Sequence, residues 1–262
     1  MKSIFTKEQI EYIKKNYRNM PYKEIADKFG MTTKQIQGKV STLGLDSKRR
    51  QFNKHYFSQI DNNDKAYWLG FIYADGYIVN HELGIELKSN DDYLLQGLAK
   101  ELGNVHQIEY KDNHKSFNGY EYDTHSCLIR IYSIDITNDL RKLNIVQNKT
   151  NSSVFPVCDE YFYAFLKGFL DGDGCLYVDN RNHLMVSFTN ANVDFLEYIN
   201  KTVESTLGII GSIYKEKDKK YKLIYFRKKD VRLFLDTIYG CNTQNYLLRK
   251  YDIYMSYYGF AA

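Results

Sequence analysis

The chain has 262 residues, 44% of them hydrophobic and 16% aromatic, with only two prolines. That is enough to bury a core over about two domains at roughly 150 residues each, and it excludes a disordered or collagen-like chain. No run approaches the roughly 18 apolar residues of a membrane span, and MKSIFTKEQI has charges where a signal peptide needs an apolar stretch, so an intracellular, cytoplasmic setting is expected. The net charge of +4 is unevenly spread: residues 1–50 hold 12 Lys and Arg against 5 Asp and Glu, a net of +7, and the remainder sums to −3. A basic end of this kind suits a polyanion.

Thr6 and Gln9 have the spacing of a capping box, so a helix is predicted from Lys7, with Ile10, Ile13 and Tyr17 as its apolar stripe. A second helix is predicted over Tyr22 to Phe29, and Gly30 supplies the turn after it. Thr32 and Gln35 form another capping box, opening a third helix that buries Ile36, Val40 and Leu43 and turns Lys34, Gln37, Gly38 and Ser41 outward. Three short helices in this order resemble a helix-turn-helix DNA-binding domain over residues 1–46, in which the last helix enters the major groove. Lys34, Gln37 and Ser41 are then the candidate base and phosphate contacts. Residues 47–60 read as a basic linker, in which Lys48, Arg49, Arg50 and Lys54 can follow phosphates.

Further along, the sequence repeats itself. WLGFIYADGYI from Trp68 recurs as LKGFLDGDGCL from Leu166, with the Asp-Gly pairs 98 residues apart, and the blocks after each copy correspond as well. Each copy reads helix, strand, strand, helix, strand, strand, helix. The expected fold class is therefore α+β, with two pseudo-symmetric αββαββα halves, about 61–155 and 156–262, in one domain over 61–262. Gly70 with Ala74, and Gly168 with Gly172, are small residues four apart, so each motif helix offers one face for backbone-to-backbone packing. Each helix is predicted to end in Asp followed by Gly at a left-handed cap: Asp75-Gly76 and Asp173-Gly174. A carboxylate is disfavoured at a helix C-terminus, and two brought together repel, so a cation is expected to offset the charge; Mg²⁺ suits carboxylate and carbonyl oxygens.

The repeated motif, with matching strand blocks after each copy, resembles the two motifs of single-chain LAGLIDADG homing endonucleases. The resemblance covers essentially all of residues 61–255. It implies a site-specific endonuclease that makes metal-dependent double-strand breaks in DNA, hydrolysing one phosphodiester per strand. Carried over by position, Asp75 and Asp173 are the catalytic metal ligands, with the Ala74 and Gly172 carbonyls beside them and Mg²⁺, replaceable by Mn²⁺, as the cofactor. A basic residue near the end of each half falls on Lys149 and Lys250, able to stabilise a phosphorane. The pattern is broken at Tyr73, where the first motif has an aromatic in place of the earlier acid that the second keeps as Asp171.

The family's sheets form a saddle on double-stranded DNA. That gives a use to the basic stretch 209–230, read as a hairpin, with Lys215, Lys217, Lys220, Lys222, Arg227 and Lys229 as contacts, and on the first sheet to Glu86, Lys88, Arg130 and Tyr132. Two halves in one chain imply a monomer with no obligate protein partner, and the chain reads as free-standing or intron-borne. The same scaffold also serves a non-catalytic DNA-binding regulator or an RNA maturase, and both readings stay open at this point. Cys127, Cys158, Cys175 and Cys241 stand 31, 17 and 66 positions apart, which fits no zinc site or disulfide framework and implies reduced, buried thiols.

Overall fold

The computed structural model describes residues 5–17, 20, 22–45, 52–103, 106–117, 119–146, 154–216 and 220–259. The chain divides into two compact units, one of Met1–Asn53 with Lys100–Val105 and one of Lys54–Ala99 with His106–Ala262. Among the described residues no helix is long and apolar enough to cross a membrane.

The first unit contains α1 (Lys7–Asn16), α2 (Tyr22–Lys28) and α3 (Thr33–Thr42). Both predicted capping boxes form. The Gln9 N–H donates to Thr6 Oγ1 at 3.2 Å and the Thr6 N–H to Gln9 Oε1 at 2.9 Å; the Thr32 and Gln35 pair does the same at 3.3 and 2.8 Å. Two N–H groups that a helix start leaves orphaned are satisfied in each case. Gly30 has φ +62°, the left-handed turn predicted for it. Ile13, Ile25, Ala26, Ile36 and Val40 close the core with Tyr17 and Tyr22.

The rest of the chain repeats one order of elements. The first copy runs α4 (Asn63–Asp75), β1 (Gly76–Val79), β2 (Glu82–Lys88), α5 (Asp92–Glu101), β3 (Ile108–Phe117), β4 (Tyr120–Tyr132) and α6 (Ile134–Lys142). The second runs α7 (Phe162–Asp173), β5 (Gly174–Val178), β6 (Leu184–Asn190), α8 (Val193–Leu207), β7 (Ser212–Lys215), β8 (Tyr221–Tyr225) and α9 (Lys228–Gly240), with α10 (Leu248–Tyr258) added. Each copy forms a four-stranded antiparallel sheet, ordered β1-β2-β4-β3 and β5-β6-β8-β7. The fold is thus the expected α+β pair of pseudo-symmetric halves.

Period-two alternation gives each sheet one buried and one open face. Ile78, Leu83, Ile85, Ile129 and Ile131 are buried on the first, and Leu176, Val186, Phe188, Leu223 and Tyr225 on the second. Tyr77, Val79, Glu86 and Tyr132 are exposed on the opposite side of the first sheet.

Four details differ from the sequence reading. Gly76 and Gly174 are extended, with φ of −75° and −74°, so neither is a left-handed cap. The chain passes straight from helix to strand there, and glycine is required by crowding: a Cβ at 76 would lie 2.8 Å from the Ile72 carbonyl oxygen, and one at 174 would lie 2.6 Å from that of Leu170. The basic stretch is not one hairpin, because Arg227 is the N-cap of α9 and Lys229 lies within it. Cys127 and Cys158 are buried as expected, but Cys175 is exposed, since alternation along β5 turns it to the open face. Tyr56 and Phe57, in the stretch read as a linker, are buried.

Candidate active site

Helices α4 and α7 cross at the centre of their unit. Every residue from Ala66 to Ala74 is buried in α4, and every residue from Ala164 to Asp171 in α7, the charged Lys167 and Asp171 included. The crossing depends on glycine. A Cβ at Gly70 would lie 1.9 Å from the Phe165 carbonyl oxygen, and one at Gly168 would lie 1.9 Å from that of Tyr67. One turn later a Cβ at Gly172 would stand 2.2 Å from Ala74 Cβ and 3.3 Å from Asp75 Oδ2. The predicted small-residue face is therefore the contact itself.

This crossing carries each acidic helix end to the other helix. Asp75, at the end of α4, lines a cleft of about 630 Å³ together with Gly172 of α7 and with Glu86, Lys88, Ser126 and Arg249. Asp173, at the end of α7, lines a second cleft of about 330 Å³ with Ala74 of α4 and with Tyr73, Thr189, Asn190 and Lys220. Both carboxylate residues are exposed. Glu86, Ser126 and Thr189 belong to the open sides of the sheets, so the clefts open there. Among the described residues no three His, Cys, Asp or Glu side chains group as a metal site.

Lys250 sits at the end of the second motif helix. It is buried, and its Nζ donates to the carbonyls of Leu170 (2.7 Å), Asp171 (2.7 Å), Gly172 (3.3 Å) and Gly174 (2.6 Å). It thus satisfies the orphan C-terminal carbonyls of α7 and supplies the positive charge that this helix end favours. Burial pushes its ammonium down to about 8, against the pull of Asp171 and Asp75. The offsetting cation expected at α7 is, in this respect, already built from protein. Lys149, the corresponding residue of the first half, lies outside the described residues.

Asp171 is fully buried and faces away from the clefts. Its Oδ2 accepts from Tyr67 Oη at 2.9 Å and from the Leu247 N–H at 2.8 Å, tying α7 to α4 and to the segment that leads into α10. Burial raises its carboxyl to about 6, against these two hydrogen bonds. One turn earlier Lys167, buried as well, donates to the Thr243 carbonyl at 3.2 Å and lies over the rings of Tyr239 and Tyr246. Sequence reasoning passed over Lys167 and Tyr67; the available signal was a lysine four residues before an aspartate inside an otherwise apolar helix. In the first half Tyr73 replaces the acid. Its ring packs on Phe169 and Phe195, and burial raises its hydroxyl to about 12.

The remaining candidates are spread over both units. Lys34, Gln37 and Ser41 are exposed along α3, on the side away from Ile36 and Val40. Lys88 lines the Asp75 cleft and Lys220 the Asp173 cleft. Lys222 pairs with Glu216 at 3.3 Å, Arg227 with Asp230 at 2.6 Å, and Arg130 with Glu109 at 3.2 Å and Glu82 at 3.4 Å. Lys215 is exposed at the end of β7. Lys48, Arg49, Arg50 and Lys217 lie outside the described residues. Lys229 is on α9 with Lys228 and Arg232, in a separate cleft that includes neither aspartate.

Residues 160–239, from just before α7 almost to the end of α9, match the family model described as a LAGLIDADG-like domain. No curated protein sequence matches the chain. Among solved structures it is similar to the N-terminal LAGLIDADG domain of WhiA, at 18% identity and TM-score 0.45, over 76% of this chain and 93% of that one. It is also similar to the homing endonuclease I-WcaI bound to its DNA recognition sequence, at 15% identity and TM-score 0.49, over 76% and 92% of the two chains. A third similarity is to I-DmoI in complex with DNA and Mn, at 18% identity and TM-score 0.42, over 73% and 100%.

Proposed function

We propose that this chain is a site-specific, divalent-metal-dependent endonuclease that cuts both strands of duplex DNA. The observation that carries the reading is the crossed placement of the motif ends: Asp75 shares a cleft with Gly172, and Asp173 shares one with Ala74. Two acidic sites, one from each half, meet the open sides of two sheets, as the cutting of two antiparallel strands requires.

The donor set fits a hard cation. Each cleft offers one motif carboxylate and nearby backbone carbonyls as oxygen donors, and Mg²⁺ is commonly held by one or two carboxylates with water and substrate phosphate completing its shell. Asp75 and Asp173 would hold the ions, with Mn²⁺ an acceptable substitute, and the Ala74 and Gly172 carbonyls would be the adjoining ligands. When bound, such an ion lowers the pKa of water and stabilises both oxygens of an in-line displacement at phosphorus. The protein's part is to fix the two carboxylates through the glycine crossing and to hold the end of α7 through Lys250. Lys88, Lys220 and Lys222 face the duplex from the two sheets, whereas the register of β7 turns Lys215 to the side of Ile213 and Leu223; Arg130 and Arg227 add contacts, and α3, in the other unit, offers Lys34, Gln37 and Ser41 to DNA in its own right. The chain acts as a monomer, because one chain supplies both carboxylates.

A second reading, a DNA-binding protein without cleavage, gains from one observation. Lys250 already neutralises the end of α7, so charge repulsion there does not by itself call for a metal. Incubating the whole chain with a randomised duplex library, in Mg²⁺ or in EDTA, and sequencing both ends and bound fragments separates the two. Breaks at one long site that vanish in EDTA and with Asp173→Asn, while binding persists, support the nuclease. Enrichment by binding with no breaks supports the second reading.

A further inference from the structure

The open face of the first sheet interleaves carboxylates with the cations Lys88, Lys111 and Arg130 that a surface for DNA would be expected to carry. Glu82, Glu86 and Glu109 all point there, whereas β5, β6, β7 and β8 contain no acidic residue. An exposed ion pair adds little to stability, so stability gives no reason for this arrangement. Glu86 is the most firmly oriented of the three. Its Oε1 accepts from Ser126 Oγ of the neighbouring strand β4 at 2.7 Å, and its Oε2 from Lys111 Nζ, which reaches across β4 from β3, at 3.1 Å. The side chains of Glu86 and Lys111 remain 42% and 35% exposed, and Glu86 borders the Asp75 cleft, so the pair is held in place and within reach of a ligand.

We propose that the Glu86–Lys111 pair reads one C·G base pair in the major groove. In that groove cytosine presents the N4 amino donor and guanine the O6 and N7 acceptors. A carboxylate can take the first and an ammonium can supply the second, so the ion pair is the complement of this base pair's edge. Reversing the base pair would set donor against donor and acceptor against acceptor. An A·T pair also sets a donor, adenine N6, beside an acceptor, thymine O4, but it flanks the donor with the N7 acceptor on the carboxylate's side and the O4 with a methyl group on the ammonium's side, so C·G is the better complement. Lys220, exposed in the Asp173 cleft, lies outside this pair and has the simpler task of contacting phosphate.

The inference rests on the duplex-binding reading above, and the test separates the two. The whole chain and its Glu86→Gln, Lys111→Met and Lys220→Ala variants are used to select bound duplexes from a randomised library without metal, with thermal melting run alongside. The unaltered chain should enrich C·G at one position, and Glu86→Gln and Lys111→Met should each cut that preference roughly tenfold at the same position. Lys220→Ala should weaken binding to every sequence alike and lower the salt slope by about 0.9. The proposal is overturned if Glu86→Gln tightens binding evenly across all sequences, or if the two variants act at different positions or at none while melting is unchanged. Failure of the unaltered chain to bind any duplex would overturn the parent reading, and this one with it.

Discussion

At the residue scale the proposed chemistry rests on two carboxylates that are alike in position and unlike in surroundings. Asp173 sits with Tyr73 and Lys220, Asp75 with Glu86, Lys88 and Arg249. If each serves one strand, Asp75→Asn should leave a supercoiled target plasmid nicked, its rate of linearisation lowered more than about a hundredfold, because a metal ligand supplies several kcal/mol of transition-state stabilisation. Gel separation of nicked from linear product checks this; full linear product would remove Asp75 from the mechanism. His125 gives a separate prediction. The hydrogen bond to Asp112, 2.6 Å from Nδ1, raises its pKa above the ordinary 6.5, and Asp123 acts in the same direction. A raised folded value means that the pair's contribution to stability is fully present below 6.5 and is lost as pH rises through the folded value. With Asp112→Asn, the midpoint of the His125 ring signals in an NMR titration should fall towards the ordinary value.

At the scale of elements, the α4–α7 crossing decides the geometry of the site. Gly70→Ala or Gly168→Ala drives a methyl group into a carbonyl oxygen 1.9 Å away, for which no rotamer change compensates. Either should cost about 3 kcal/mol or more in urea unfolding. Gly38→Ala on α3 provides the contrast, since nothing lies within 4 Å of the added carbon; there the same chemical change should stabilise by about 0.5–1 kcal/mol. This crossing was readable in the sequence because small residues four apart, Gly70 with Ala74 and Gly168 with Gly172, on a largely apolar helix have few other uses. Both capping boxes were readable as well, being local hydrogen-bond patterns set by residues three apart. The hold of Lys250 on α7 was not. It joins residues 76 to 80 positions apart, and a lysine before Tyr251 looks in sequence like any other surface lysine.

At the scale of the whole molecule, duplication accounts for both what the sequence disclosed and what it withheld. Matching blocks after each motif predicted two equivalent sheets, and the sheets have equivalent strand orders. The divergence between them was less visible: β2, β3 and β4 hold six carboxylates against four Lys and Arg, whereas residues 212–225 hold five lysines against two carboxylates. Charge totals by segment reveal that contrast, but which lysines are tied to carboxylates depends on strand register. One chain carrying both acidic clefts should sediment at its own mass of 30.9 kDa with activity linear in protein concentration. A dimer persisting at nanomolar concentration, with activity lost on dilution, would overturn the monomer.

The glycine contacts also have a consequence for the product. The two aspartates are fixed to helices that touch through their backbones, and neither can approach or withdraw without opening that contact. For a chain that cuts both strands, the separation of the two cuts is then a gauge ground into the protein, the same for every sequence it accepts. Variants that change which bases are chosen would shift where a break falls and leave the length of its single-stranded ends unaltered.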